Sequence, residues 1–325
     1  MRIRYYKPED DPALMALERL CPRGLPEPFV HYRRRFIDRA ALFSDHQLLV
    51  AEQGGEIVGA VAVAVKRTHI GDDPVSLGYV FDVRTNPAVR RQGIGHTLVT
   101  AVDDYLTERH VDGVYGHIEA SNIPSLKLFE KKGYARVRQI LLLIYQPSPL
   151  IEIPDYMPRS CDDHVLGHDI VQAVHSQRDL YVPDVAERVK DFSFQRWTVD
   201  LGSSKFAGMS LFDQSYVFQQ WPAHEPFPSE EEMRRNAKRS LRLFDEVGVH
   251  NALLLQAIFD NLRDIAVTDR VSKLTLLVDR MDRIPVFLYA EAFKQMDYWM
   301  VFKSLRSDWT PEWQDTPIYV DAREL

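Results

Sequence analysis

Apolar and polar positions follow two rhythms along the first 145 residues. Met1–Tyr6 reads as a short strand, His46–Glu52 and Glu56–Lys66, rich in Val, Ala, Leu and Ile, as two more, and Ser76–Thr85 as a further one. The turn residues Gln53-Gly54-Gly55 join the second and third as a hairpin. Pro8–Leu20 reads as a helix introduced by Glu9-Asp10-Asp11, whose carboxylates favour a helix N-terminus. After Asn86-Pro87 the rhythm changes. Ile94, Leu98, Ala101, Val102, Tyr105 and Leu106 recur at helical spacing, predicting a helix over Gly93–Arg109. Gly113–Glu119 is the next expected strand and Asn122–Lys132 a shorter helix stopped by Gly133. Arg136–Tyr145 is the last strand of this half.

The stretch from Gln146 to Pro158, with four prolines, reads as a domain connection. Beyond it, Ser229–Val247 reads as a charged surface helix, with Ser229 capping Glu230-Glu231-Glu232, and Lys273–Val278 and Tyr298–Leu305 read as strands. Ile284–Tyr298 echoes Ile123–Tyr134 when three residues are inserted in the later copy, which points to an internal duplication. The 325 residues, about twice the ~150 of a typical domain, fit that reading. The expected organisation is therefore a first domain over 1–147, a linker over 148–160 and a second domain over 161–325.

Composition places the chain among ordinary globular proteins, with 45% hydrophobic and 27% charged residues. A net charge of −7 lacks the basic field of a bulk nucleic-acid or anionic-membrane binder, so neither partner is expected. Cys21 and Cys161 stand in neither disulfide nor metal spacing, and no apolar run approaches the ~20 residues of a membrane span, so a cytoplasmic protein is expected. His164, His168 and His175 beside Asp162 and Asp163 have superficially ligand-like spacing. However, Gly167, Val165 and Leu166 interrupt it, and no metal is expected. Arg33, Arg34, Arg35 and Arg39 read as a solvated helix face that could also guide an acidic cofactor or substrate.

Chemistry concentrates at Arg90-Arg91-Gln92-Gly93-Ile94-Gly95-His96, between a strand and a helix. Free backbone N–H groups and the helix dipole make such a turn a site for anionic oxygens, glycine allows close approach, and Arg90 and Arg91 add positive charge. The alternative is a glycine-tightened turn with solvated arginines. No Lys-Ser/Thr follows, as a P-loop requires, and the third glycine of the dinucleotide fingerprint is missing, so another pyrophosphate-bearing ligand is implied.

Val83-Arg84-Thr85-Asn86-Pro87, the Arg90-x-x-Gly93-x-Gly95 turn, Asn122–Phe129 and Gly133-Tyr134 together resemble the GNAT superfamily of acetyl-CoA-dependent N-acetyltransferases over about residues 1–145. With Asp308-Trp309-Thr310 and the C-terminal Val320–Leu325, the chain is similar to plant HOOKLESS-like N-acetyltransferases over most of its length. The resemblance implies an α/β GNAT fold with a mixed, splayed central sheet, followed by a degenerate GNAT-like copy that lacks the glycine motif. It implies acetyl-CoA as co-substrate and an amine as acceptor. The residues implied at the cofactor are Val83, Arg84 and Thr85, pairing with the pantetheine arm, Arg90, Arg91, Gln92, Gly93, Ile94, Gly95 and His96 at the pyrophosphate, and Asn122 and Phe129. Phe129 stands where the family usually offers a tyrosine acid, and phenylalanine cannot donate a proton.

Acetyl transfer needs a neutral amine, a route for its proton and a donor for the developing oxyanion. Asp82 precedes the cofactor-pairing segment, where some GNAT aminoglycoside acetyltransferases carry aspartate. Its other reading is an ion pair with an arginine such as Arg84. His117 and Glu119 share one face of their strand by period-two alternation and could both reach the cleft, or could be structural or solvated. Tyr79, Tyr115 and Tyr134 rank lower as acids, with a buried core as the default. Neither cysteine lies near the motif in sequence, which speaks against an acetyl-enzyme. The expected reaction is direct transfer to a small amine in preference to a protein lysine, and the rival is a non-catalytic acyl-CoA sensor or regulatory pseudoenzyme.

Overall fold

A computed structural model describes residues 1–24, 28–151, 156–160, 164–201, 205–229, 231–232, 238–248 and 250–325. They form two compact units that interleave in sequence: Met1–Arg138, Val217–Ala237 and Trp299–Glu312 make one, and Gln139–Tyr216, Lys238–Tyr298 and Trp313–Leu325 the other. The units cross the boundaries expected at 147 and 161, because residues 139–145 pair within the second unit and 299–312 group with the first.

In the first unit, β1 (Arg2–Tyr5), β3 (Asp45–Gln53), β4 (Glu56–Ile70), β5 (Asp73–Thr85) and β6 (Gly113–Glu119) follow one another across the sheet. The pairs β1–β3, β3–β4 and β4–β5 are antiparallel and β5–β6 is parallel, so the sheet is mixed. The C-terminal part of β14 (Lys294–Ser304) lies beyond β6. α2 (Ile94–Glu108) and α3 (Ile123–Lys131) cover one face, where Ile94, Leu98, Val99, Val102 and Leu106 pack with Leu126, Phe129, Tyr134 and Val301. Each such buried aliphatic side chain contributes roughly 1.5–3 kcal/mol. α1 (Asp11–Arg19) and a 3₁₀ helix over Phe36–Leu42 belong to the same unit. There β2 (Phe29–Tyr32) pairs with β11 (Gln219–Pro222), and His31 stacks on Phe218 at 4.4 Å.

The elements expected over the first 145 residues are present, with ends shifted by a few residues and longer β4 and β5. The arginine cluster is a correction: Arg33, Arg34 and Arg35 lie between β2 and the 3₁₀ helix that holds Arg39, and Arg33 and Arg39 are buried, leaving Arg34 and Arg35 at the surface.

The second unit repeats the plan. Residues 139–145 of β7 (Ala135–Tyr145), then β13 (Lys273–Asp279), β12 (Ser240–Val247), β10 (Phe206–Asp213), β9 (Gln195–Asp200) and β8 (Arg159–Ser160) form its sheet, with β12–β13 parallel. Among its helices, α4 (His164–His175), α5 (Val185–Val189), α6 (Ala252–Thr268) and α7 (Val286–Ala290), α6 buries Leu255, Ile258, Phe259 and Leu262 against that sheet. The helix expected over Ser229–Val247 is corrected in its C-terminal part, while 230 and 233–237 lie outside the described residues. Ser229 does accept from the Glu232 N–H at 3.2 Å and donates to its carboxylate at 2.8 Å, yet Ser240–Val247 is a strand buried along its whole length. Its charged residues had suggested a surface position. Within Ile284–Tyr298, the echo of the α3 segment, the helix is confined to five residues, after which the chain enters β14.

Two features repeat between the units. β5 bulges where Ala62 faces Phe81 but Ala60 faces Arg84, and β12 bulges where Ser210 faces Phe244 but Gly208 faces Val247. The bulged residues Asp82 and Asp245 have φ of 51° and 52°. This common register supports duplication independently of the helix echo.

Gly116 lies just beyond the last parallel pair, Tyr79 with Tyr115, and a Cβ there would sit 2.7 Å from the Val80 carbonyl oxygen. Gly116→Ala is expected to lower stability by about 1–3 kcal/mol, read as a fall in the urea midpoint of the full chain. An unchanged midpoint would mean that the strands part there without cost.

Candidate functional site

The parallel pairing of β5 and β6 extends to Tyr79 and Tyr115, and the bulge at Asp82 follows on β5. Val83 and Thr85 are half-buried on the strand that leads to the glycine turn. Arg90, Arg91, Gln92, Gly93 and His96 are exposed, Gly95 is half-buried, and Ile94 anchors α2 in the core. Gly93 has φ of 83° at the N-cap, and a Cβ on it would meet nothing within 4 Å. The first N–H bonded inside the helix is that of Thr97, to the Gly93 carbonyl, so the N–H groups of the preceding turn have no helical partner. An open face, left-handed backbone and converging N–H groups fit a pyrophosphate.

Asn122 caps α3, its Oδ1 accepting from the Ser125 N–H at 3.3 Å. Phe129 is 3% exposed and meets the Tyr134 ring edge-on, so its side chain belongs to the core and offers little surface to a cofactor. Tyr134 donates to Asp103 at 2.7 Å, and burial beside that carboxylate pushes its hydroxyl far above the usual range. Tyr79 and Tyr115 are likewise core residues. Arg84, expected to pair with the cofactor through its backbone, bonds Glu18 with its side chain at 2.8 Å.

The three expected proton acceptors differ sharply. Asp82 is buried and ringed by guanidinium groups: Arg33 at 2.6 Å, Arg39 at 3.0 Å, Arg84 at 3.5 Å and Arg23 at 3.7 Å. Burial alone would raise its pKa, but Arg33 and Arg39 outweigh this and hold it well below the usual carboxylate range. A carboxylate so held is a weak base, and the structure favours the ion-pair reading with more partners than the one arginine expected. His117 is half-buried, with its ring against Tyr79 and Tyr115. Glu119 is half-buried at the end of β6 and accepts from Ser121 Oγ at 2.7 Å.

Cys21 is a further correction. Distant in sequence, its Sγ lies 3.4 Å from the Thr85 carbonyl oxygen. Burial pushes the thiol pKa up, so proximity does not make it a nucleophile. Cys161 and the side chains of His164 and His168 lie outside the described residues. His175 is buried and bonds the Glu246 carbonyl at 3.1 Å.

In the second unit, the opening beyond the parallel pair Leu243 and Leu276 meets the C-terminal segment. The Ile318 N–H donates to Asp279 at 2.9 Å and the Tyr319 hydroxyl to Asp245 at 2.8 Å. Arg178, Glu246, Asp282 and Tyr319 help to line a cavity of about 20 Å³ there, the size of one water. Burial raises Asp245 to about 6 despite Arg196, and burial beside Asp282 raises Glu246 to about 8.

The profile of the Acetyltransferase (GNAT) family matches residues 12–134. A probable N-acetyltransferase HLS1-like of Arabidopsis thaliana is 29% identical over 174 residues, 44% of this chain and 42% of that protein. N-alpha-acetyltransferase 30 of Xenopus laevis is 30% identical over 139 residues, 42% of this chain and 48% of that protein. The chain thus spans under half the length of these curated relatives. A tandem GNAT protein from the clavulanic acid biosynthesis pathway, 13% identical, superposes over 94% of this chain and 99% of its own with a TM-score of 0.62, sharing the fold.

Two outcomes follow from these charges. Asp82→Asn leaves Arg33 and Arg39 buried without their anion and is expected to cost about 3–5 kcal/mol at pH 7 in urea unfolding. Because the folded pKa is depressed, this contribution is present above the ordinary carboxylate range and lost as pH falls through the folded value. A stable but inactive variant would return Asp82 to catalysis. Glu246 is shifted the other way, so its contribution is lost as pH rises from the unfolded value through about 8. Glu246→Gln should stabilise the chain by a few kcal/mol near pH 8.5 and little near pH 5. Equal effects at both pH values would contradict the raised pKa.

Proposed function

We propose, from the premise that residues 12–134 are a domain of the Acetyltransferase (GNAT) family, that the chain transfers acetyl from acetyl-CoA to a primary amine within a ternary complex. The observation that carries this reading is the glycine turn itself, open at Gly93 and set at the start of α2 beside the end of β5. The first-turn N–H groups with Arg90 and Arg91 would hold the pyrophosphate, and Val83 to Thr85 would align the pantetheine arm. The amine nitrogen attacks the thioester carbonyl carbon, the C–S bond breaks and the thiolate leaves. A backbone N–H of the β5 segment stabilises the oxyanion.

Glu119 takes the proton lost by the amine, directly or through water, and His117 is the second candidate. Glu119 is half-buried at the strand end, whereas Asp82 is committed to arginines. Phe129 supplies no acid, so the thiolate takes its proton from solvent. The first unit carries this site, and the second unit is the degenerate copy. The absence of a glycine motif there and the C-terminal segment at its strand opening support one acetyl-CoA per chain. The β2–β11 ribbon beside the Asp82 cluster supports a small amine over a protein lysine. The sensor reading draws on Phe129 in the usual tyrosine position and on the glycine-poor second half.

Calorimetric titration with acetyl-CoA should give one site per chain, lost in Gly93→Asp, and thiol release with pooled amines should follow. Glu119→Gln should lower kcat by about 10²–10⁴ with acetyl-CoA affinity retained. Binding without thiol release from any amine would establish the sensor, and no binding to the intact chain would overturn both readings.

A further inference from the structure

We propose that the acceptor amine also carries a carboxylate, recognised by the arginine cluster around Asp82. The proposal rests on the acetyl-transfer reading and names its substrate class: amino acids and related amino-carboxylates. Arg23, Arg33, Arg39 and Arg84 lie within 3.7 Å of Asp82, and Glu18 is the second carboxylate among them, bonding Arg84 at 2.8 Å. Four guanidinium charges thus face two carboxylates. Nearby Asp38 bonds exposed Arg35 instead, and His31, lowered to about 4 by burial, adds no charge at neutral pH.

Excess buried charge is costly unless an anion completes it. The unmet hydrogen bonds point the same way: among the described residues, Arg33 Nε and Nη2 and Arg39 Nε are buried without a partner, on side chains 0% and 5% exposed. Arg39 Nη2 reaches the Tyr79 hydroxyl at 3.4 Å, and the Tyr79 ring meets that of His117, so the cluster adjoins the groups proposed to serve the amine. Arg23, with its side chain 35% exposed, is the approach from solvent. The planar fork of arginine matches a carboxylate through paired N–H donors. A donor phosphate shares the anionic chemistry, but the glycine turn at α2 already provides for it.

The test uses the full chain saturated with CoA, titrated calorimetrically with each L-amino acid and with its amide, alongside thiol release from acetyl-CoA. At least one amino acid should bind and react with kcat/KM at least about tenfold above its amide. Arg23→Gln should bring that ratio towards one by raising KM for the acid, and Arg23→Lys should restore part of it. Arg23 is partly exposed, so this variant tests recognition without emptying the buried pairs. Equal use of acids and amides, or no amino acid binding to the CoA-saturated chain, would overturn the proposal. Loss of acetyl-CoA binding in Arg23→Gln would assign the arginines to the donor phosphates and overturn it as well. Failure of acetyl transfer shows separately, as no thiol release with any amine, while calorimetry still reads the carboxylate site.

Discussion

The bulge at Asp82 is the constraint on which the first unit turns. An aspartate at φ of 51° is held in a conformation that an L-residue adopts at a cost of roughly 1–2 kcal/mol, and it is buried as an anion. Neither would persist without the guanidinium groups of Arg33 and Arg39 against its two oxygens. They come from the segment after β2, while Arg84 ties the same strand to Glu18 on α1. The ion pairs therefore join three stretches of chain at the place where β5 changes register. Beyond it the strand runs on through Thr85 to the glycine turn, which is how the turn comes to stand at the end of the sheet.

The second unit keeps the bulge and changes its chemistry. Asp245 occupies the equivalent register and nearly the same φ, but its neighbours are one arginine, a tyrosine and the Asp321 carboxylate. With less compensating charge, burial prevails and the pKa rises, whereas at Asp82 the arginines prevail and it falls. The backbone feature thus outlasted the charges around it. At the same end of that sheet, hydrogen bonds from Ile318 and Tyr319 satisfy Asp279 and Asp245. That opening is met by the chain's own segment, and the glycine motif stands in the first unit.

Legibility in the sequence followed the range of the interactions. Hairpins, the amphipathic α2 and the glycine turn are local patterns, and they were readable from Gly54-Gly55, the Ile94–Leu106 spacing and the Gly93-x-Gly95 turn. What escaped was set by distant partners. Arg33 and Arg39 look solvated until Asp82, more than forty residues away, is placed beside them, and Cys21 meets Thr85 only through the fold. The charged residues of β12, Arg242, Asp245 and Glu246, suggest an exposed helix in the sequence. In the fold they are buried, Asp245 among them paired with Arg196 and Tyr319. Phe81-Asp82 recurs as Phe244-Asp245 at almost the spacing that separates Ile123-Pro124 from Ile284-Pro285. Two echoes at nearly one offset make β12 the counterpart of β5 and mark it as a strand.

Donor and acceptor recognition can be separated because the two kinds of positive potential are built differently. At Gly93 it comes from backbone N–H groups and exposed arginines, which remain solvated until an anion arrives and so exact little stability. Around Asp82 it comes from buried guanidinium groups whose desolvation has already been met in folding, partly by Asp82 and Glu18. The first arrangement suits a large, mobile pyrophosphate that must enter and leave with each turnover. The second is rigid and incompletely satisfied, and it discriminates by geometry: an anion that cannot present paired oxygens to those donors leaves them unmet. Specificity for the acceptor would then reside in groups that also hold the bulge, so the residues that shape β5 and those that choose the amine are largely the same.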